Sequence, residues 1–323
     1  MKFLITGASG FWGYNLTEYI LDKDQHADIT CIYNTDNSQI EKLNVNCVQC
    51  SLESQIETDK LIDNYDCIIH LASIIKHTLK NAKKNININV KCCKNMLELA
   101  NKIQTKYDKK ITFILASSVG TVACFNDNQL EANELSKYCN ISSQFPYYRS
   151  KMIIEKMANE YANKYFFKLS IIRPPIIYGP KDYKGRATHL IHKFLKSSVV
   201  LYGSGNIPFC DVRDVCKFTF DIIQKNNPHR VYNIDGYRWS MGKFYQILEE
   251  ISGQSKIKIW VPYNLGYYLV PILNKCFKLP DMIEVEMANS YWNSKSLYNK
   301  DFEWTDPRKT LQDTINWLEN SKL

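Results

Sequence analysis

Long apolar runs are missing from this chain of 323 residues. The longest, Ile68 to Ile75 and Leu265 to Leu273, fall well short of the roughly 20 residues that a membrane-spanning helix requires. The opening apolar run is broken by glycine after about five residues, too soon for the core of a secretory signal, so a cytoplasmic location is expected. Metal-binding clusters are missing too. Cys47-Val48-Gln49-Cys50 has the CxxC form, but no second pair or histidine cluster completes it, and His189 and His192, three apart, lack companions. No metal is expected, and the 11 cysteines, an odd number spread along the chain, read as buried thiols.

The net charge of +8 lacks the pattern of a nucleic-acid binder. Its lysines gather at Lys76, Lys80, Lys83, Lys84, Lys91 and Lys94, then at Lys102, Lys106, Lys109 and Lys110, among Asn and Ile rather than stacking aromatics. A solvated helix face follows, able to steer an anionic small molecule but not built for nucleic acid. With 45% hydrophobic and 23% charged residues, neither disorder nor a fibrous repeat is indicated.

Glycine is scarce, 12 in all, yet three lie within seven residues. Lys2-Phe3-Leu4-Ile5-Thr6 reads as a buried strand, Gly7-Ala8-Ser9-Gly10-Phe11-Trp12-Gly13 as a tight turn, and Tyr14 to Leu21 as a helix. Glycines three apart bring the backbone close enough for free N–H groups at a helix start to meet a pyrophosphate. The next strand, Ile29 to Tyr33, ends at Asn34, neither the carboxylate that binds a ribose 2′-hydroxyl nor the cation that accepts a 2′-phosphate. NAD and NADP both stay open.

Further strands are expected at Asn46 to Cys50, Asp66 to Ala72, Lys110 to Leu115 and Lys168 to Arg173. The near-continuous apolar run Asp66 to Ala72 suits a parallel sheet covered on both faces. A helix is expected from Asn89 to Asn101, extending to about Lys106. After Pro174 the alternation fades into a loop-rich stretch, with a helix at Arg213 to Gln224, a strand at Arg230 to Ile234 and a last helix from about Arg308 to Leu318. The fold class is therefore α/β, a doubly wound parallel sheet with a smaller interleaved C-terminal part. Residues 1–173, with a returning segment of about 208–235, form the dinucleotide-binding domain; 174–207 and 236–323 form the substrate-binding domain.

Tyr147 and Lys151 lie four apart on a helix running to about Lys164, so they share a face. A phenol titrates near 10; lowering that by about three units takes roughly 4 kcal/mol, which a lysine ammonium beside it would supply. Tyr148 has Met152 four residues on, which cannot activate it. Ser117 and Ser118, ending the fifth strand, would lie on the same sheet edge.

Taken together these blocks resemble the extended short-chain dehydrogenases/reductases, often labelled NAD-dependent epimerase/dehydratase. The resemblance covers essentially the whole chain. It rests on the glycine turn, the fourth-strand block Asp66 to Ser73, Ser117-Ser118, Tyr147 with Lys151, Arg173-Pro174 with Tyr178-Gly179-Pro180, Asp211 to Val215, and Phe302 to Pro307. It implies Tyr147 as general acid/base, Lys151 as its modulator and a nicotinamide-ribose ligand, and Ser118, or alternatively Ser117, as the group that orients the reacting oxygen. NAD or NADP would be held by Gly7, Ser9, Gly10, Phe11, Trp12, Gly13, Asn34, Ser51, Leu52, Leu71, Ala72, Ser73, Tyr147, Lys151, Pro174 and Ile177.

Departures narrow the reading. Trp12 is bulky for its place and most simply faces the core. Ser51 stands where relatives often carry an adenine-binding aspartate. Val119-Gly120 replace the acidic pair of the dehydratases, which disfavours elimination. Pro208-Phe209-Cys210 lack the arginine with which sugar-nucleotide epimerases grip phosphate, leaving Arg213, Arg186 or Arg238 to supply it. The apolar patch Tyr267, Tyr268, Leu269, Val270 and Leu273 is expected to pack the small domain.

The expected enzyme is an oxidoreductase that interconverts a ketone and a secondary alcohol on a nucleotide-activated sugar, as reductase or epimerase. The alternatives are a less polar hydroxy or keto substrate, as in steroid- or flavonol-type relatives, and a nicotinamide-sensing protein without turnover. A homodimer paired through the helices Asn89 to Lys106 and Tyr147 to Lys164 is expected, as in family dimers.

Overall fold

The computed structural model describes residues 1–225, 230–265 and 282–321, leaving the Tyr267–Leu273 patch outside the described residues. Its centre is a seven-stranded, all-parallel sheet. The first half runs β1 (Lys2–Thr6), α1 (Phe11–Lys23), β2 (Asp28–Tyr33), β3 (Asn46–Gln49) and α2 (Gln55–Asp59). The second runs β4 (Cys67–His70), α3 (Ala82–Tyr107), β5 (Thr112–Ala116), α4 (Pro146–Tyr165) and β6 (Lys168–Arg173). Beyond it come β7 (Ile176–Tyr178), α5 (His189–Lys196), β8 (Val199–Tyr202), β9 (Asn206–Asp211), α6 (Val212–Gln224) and β10 (Val231–Asn233). Then follow β11 (Tyr237–Ser240), α7 (Met241–Ser252), β12 (Ile257–Trp260), and helices Met282–Asn289 and Pro307–Asn320. The large sheet has the order β10-β6-β5-β4-β1-β2-β3.

Side chains alternate across each strand, so Phe3 and Ile5 enter one core with α1 and α6, whereas Leu4 enters the other with α3 and α4. Both faces are covered at the centre of the sheet, which is why β4 and β5 read as apolar runs. Strand order reverses between β1 and β4, and the crevice at their carboxyl ends is where such sheets place ligands.

Two expectations need correction. The third helix begins at Ala82 rather than Asn89, because its inward positions include Asn85, Asn89 and Asn95 as well as Cys93 and Met96; polar residues there hide the apolar period. The stretch after Pro174 is not simply loop-rich. It carries a three-stranded sheet in the order β11-β9-β7 and a two-stranded sheet of β12 with β8. Strands of three or four residues are too short to show alternation, and Pro208 lies in β9, the middle strand, where proline argues against a strand. Tyr178, Phe194, Phe209 and Phe244 gather with Leu311 and Ile315 of the last helix in a separate core there.

Candidate active site

The turn after β1 is shaped by its own backbone. Gly7 has φ +73° and lies so close to the end of β4 that a Cβ would come 2.7 Å from the Ala72 nitrogen. A Cβ on Gly13 would stand 2.2 Å from the Gly7 carbonyl oxygen, so neither position admits a side chain. Helix α1 starts from Gly10 with no capping side chain and no acidic residue in its first turn. Its leading N–H groups and its positive dipole end are thus unopposed.

The neighbouring loop is pinned to this turn. Thr6 Oγ1 and His70 Nδ1 share a hydrogen bond of 2.8 Å, and the Leu71 N–H donates to the Thr6 carbonyl at 3.2 Å. His70 is buried, and burial with the nearby Lys151 charge pushes its pKa down to about 3, so it stays neutral. Among the described residues, Trp12 Nε1 and Ser73 Oγ are buried polar atoms without a hydrogen-bond partner. Trp12 therefore does pack against the core formed by α1, α6 and the sheet, as expected, but its ring nitrogen stays unsatisfied there. A cradle with no room for a Cβ and an uncapped helix start fit a dinucleotide.

The other expected ligands are more varied. Asn34 is exposed and its carbonyl accepts from Gln49 Nε2 at 2.9 Å. The Ser51 N–H donates to Glu57 Oε2 at 2.7 Å, and the Leu52 carbonyl accepts from Asn95 at 2.8 Å. Ile177 packs, partly buried, against the α1 side of the sheet. The Pro174 carbonyl accepts from the Val119 N–H at 3.1 Å and from the Ser118 hydroxyl at 3.4 Å.

Helix α4 carries the candidate chemistry. Lys151, 2% exposed, donates from Nζ to the Ala116 carbonyl, the last of β5, at 2.7 Å. Its nitrogen stands 5.7 Å from the centre of the Tyr147 ring. The two serines part company: the Ser117 hydroxyl, buried, donates to Glu155, which also holds Arg173 in a buried ion pair at 2.6 Å. Ser118 Oγ instead accepts the Gly120 N–H at 3.2 Å.

The phenol differs from the expectation. Burial pushes the Tyr147 hydroxyl upward rather than downward, and it pushes Lys151 down to about 8. Desolvation disfavours phenolate and ammonium alike, and the ammonium spends a hydrogen bond on the Ala116 carbonyl.

Two residues that sequence reading missed complete the arrangement. Asn89 binds both backbone groups of Ile74, at 2.8 and 3.1 Å, and donates to Ser150 Oγ at 3.1 Å, tying the loop after β4 to the turn of α4 that carries Tyr147. His77 packs edge-on to Tyr147 at 5.4 Å and against Tyr148 at 5.2 Å between ring centres. The Tyr148 ring continues to Trp292 at 5.3 Å and seats against Gly120, where a Cβ would meet it at 2.3 Å. No helical or strand period signals such residues; they meet only through the fold.

Of the three arginines considered for phosphate, Arg213 is tied to Asp211 at 2.6 Å and Asp313 at 2.7 Å, and Arg238 to Glu131 at 3.1 Å. Arg186 is exposed and has no ion pair or hydrogen bond among the described residues.

Comparison with known proteins agrees with this geometry. The family model described as "NAD dependent epimerase/dehydratase family" matches residues 3–235. The chain belongs to that family. It is 23% identical over 328 residues to a probable UDP-glucuronate 4-epimerase of Rhizobium meliloti, covering 88% of this chain and 90% of the relative. It is 24% identical to a GDP-6-deoxy-D-talose 4-dehydrogenase of Aggregatibacter actinomycetemcomitans, over 78% of this chain and 80% of the other. Among solved structures, the UDP-glucose 4-epimerase of Thermotoga maritima with UDP-glucose superposes with a TM-score of 0.77 at 18% identity, covering 99% of both chains. The UDP-glucuronic acid 4-epimerase of Bacillus cereus in complex with NAD gives a TM-score of 0.76 at 20% identity, over 99% of this chain and 97% of that one. At those identities the structures speak for the fold. As a member of this family the chain is an enzyme of the extended short-chain type that works with a nicotinamide dinucleotide. No helix among the described residues is long and apolar enough to cross a membrane.

Proposed function

We propose that this protein interconverts a ketone and a secondary alcohol on a nucleotide-activated sugar, as a keto-sugar reductase or an epimerase. The observation that carries the reading is the buried Lys151 ammonium, fixed to the end of β5 one helical turn from Tyr147, on the sheet edge where the glycine turn lies. The enzymes named above, which act on UDP- and GDP-sugars, support the substrate class.

The dinucleotide, when bound, supplies or accepts hydride. Tyr147 exchanges the proton of the substrate oxygen. In the reductive direction its high pKa suits it, since the neutral phenol is the donor. Lys151, still largely protonated at neutral pH, stabilises the phenolate left behind. Ser118 accepts the Gly120 N–H and donates to the Pro174 carbonyl at a long 3.4 Å, a weak bond that its proton would exchange for the substrate oxygen. We read 1–173 with 208–235 as the dinucleotide-binding part, supported by the parallel pairing of β10 with β6, and 174–207 with 236–323 as the substrate-binding part. Pairing of α3 and α4 between two copies is the assembly we favour; sedimentation showing monomer alone would refute it.

Titration with UDP, GDP and dTDP tests the substrate class. Binding of one of them is expected, and binding of none would overturn the nucleotide-sugar reading. One observation favours a second reading, a less polar hydroxy or keto substrate: Phe145, Tyr148 and Trp292 form an aromatic cluster beside Tyr147, and two of the three candidate arginines are neutralised. Mass spectrometry of copurifying small molecules separates the modes, a retained oxidised dinucleotide pointing to an epimerase.

A further inference from the structure

Lys184 lies 175 residues from the glycine turn yet rests on it, donating from Nζ to Ser9 Oγ at 3.0 Å. Its charge also acts on Asp36, just beyond β2. The segment that presents it is built firmly. Buried Asp182 accepts from the N–H groups of Ala187 and Thr188, at 2.8 and 2.9 Å, and from the Thr188 hydroxyl at 3.1 Å. Lys181 pairs with Glu18 of α1 at 2.6 Å, and Tyr183 packs edge-on to Tyr14 at 5.1 Å.

The ammonium is therefore held on Ser9 in the middle of the glycine turn, with Asp36 beyond β2 within reach of its charge. In a sheet of this order the adenosine ribose lies in that position; a carboxylate at the strand end binds its 2′-hydroxyl, or a cation accepts its 2′-phosphate. The strand end supplies no cation of its own, since Asn34-Thr35-Asp36-Asn37-Ser38-Gln39 contains no basic residue. The uncapped start of α1 would meet the charge of a diphosphate. A lysine on Ser9 thus has a different phosphate to meet.

We infer that Lys184 recognises the 2′-phosphate of NADP, so that this chain takes the phosphorylated dinucleotide in preference to NAD. The inference rests on the glycine turn being the dinucleotide seat. Asp36, exposed and acidic, opposes the preference.

Calorimetric titration of the intact protein with adenosine 2′,5′-bisphosphate and with AMP tests this without any turnover. The bisphosphate is expected to bind about tenfold more tightly, the scale of one charge-assisted hydrogen bond. Lys184→Ala should bring the two affinities together, Lys184→Arg should keep them apart, and Asp36→Asn should widen the gap. Equal binding of both nucleotides to the wild type would overturn the inference while leaving the seat intact. So would an equal loss of both in Lys184→Ala, which would make Lys184 a 5′-phosphate contact. Binding of neither would remove the seat itself, and the inference with it.

Discussion

The two sides of the crevice are made differently. The side proposed to seat the cofactor is written almost contiguously: strand, turn and helix start within Lys2 to Gly13, closed over by the end of β4. The opposite side is assembled from His77, Gly120, Tyr148 and Trp292, which come from four separate segments. One side is constrained by backbone, where a Cβ on Gly7 or Gly13 would collide. The other is a contact set of rings, where replacements can be accommodated without moving the chain. The two glycine positions therefore admit no side chain, whereas the ring cluster leaves no local signal in the sequence, and substrate identity is the harder thing to read.

Replacing Tyr147 by Phe should produce the largest effect. Proton transfer is lost, so kcat should fall by about a thousandfold, with dinucleotide affinity unchanged. Steady-state kinetics beside a binding titration would show it. Near-normal turnover would remove Tyr147 from the chemistry.

Gly13→Ala breaks the other side. Its Cβ would stand 2.2 Å from the Gly7 oxygen, so the turn must open. Overpacking of this kind costs about 1–3 kcal/mol, and thermal unfolding should shift accordingly while dinucleotide affinity drops at least about tenfold, a factor of about 1.4 kcal/mol. Gly120→Ala, by contrast, displaces only the Tyr148 ring, and should alter KM while leaving dinucleotide affinity intact.

The pH profile gives a smaller, graded effect. Burial holds Lys151 down to about 8, so its charge is lost as pH rises through that value. Reductive kcat/KM should fall above pH 8, up to tenfold per unit, and Lys151→Arg should move that limb upward because arginine stays charged. Linkage gives the sign for folding: between about 8 and the ordinary 10.5 the unfolded chain binds more protons, so this group adds stability as pH rises across that window. A limb unmoved by Lys151→Arg would contradict the assignment.

Arg186→Ala is the mildest change. If this unpaired arginine meets a substrate phosphate, KM should rise about fivefold, on the scale of one exposed charge contact. Arg213→Ala should instead lower stability, since it leaves buried Asp211 without its partner.

Much of the sheet was legible because burial on both faces writes itself as apolar runs; Lys168–Arg173 falls at its expected bounds. The glycine turn was legible because backbone constraints act on neighbouring residues. The start of α3 was not, since Asn85 and Asn89 occupy inward positions for hydrogen bonding rather than for apolar packing. Nor was the division of labour between Ser117 and Ser118, which depends on Glu155 reaching back from α4. The upward shift of the Tyr147 phenol was invisible as well, because four-residue spacing reports a shared face but not how much water is excluded from it.

The central claim is that seat and chemistry are separable, one in the glycine turn and the other on α4. Fluorescence titration of a reduced nicotinamide dinucleotide against wild type, Tyr147→Phe and Gly13→Ala tests it most directly. Wild type and Tyr147→Phe should bind alike and Gly13→Ala should not. Full binding by Gly13→Ala, or loss of binding in Tyr147→Phe, would contradict the account.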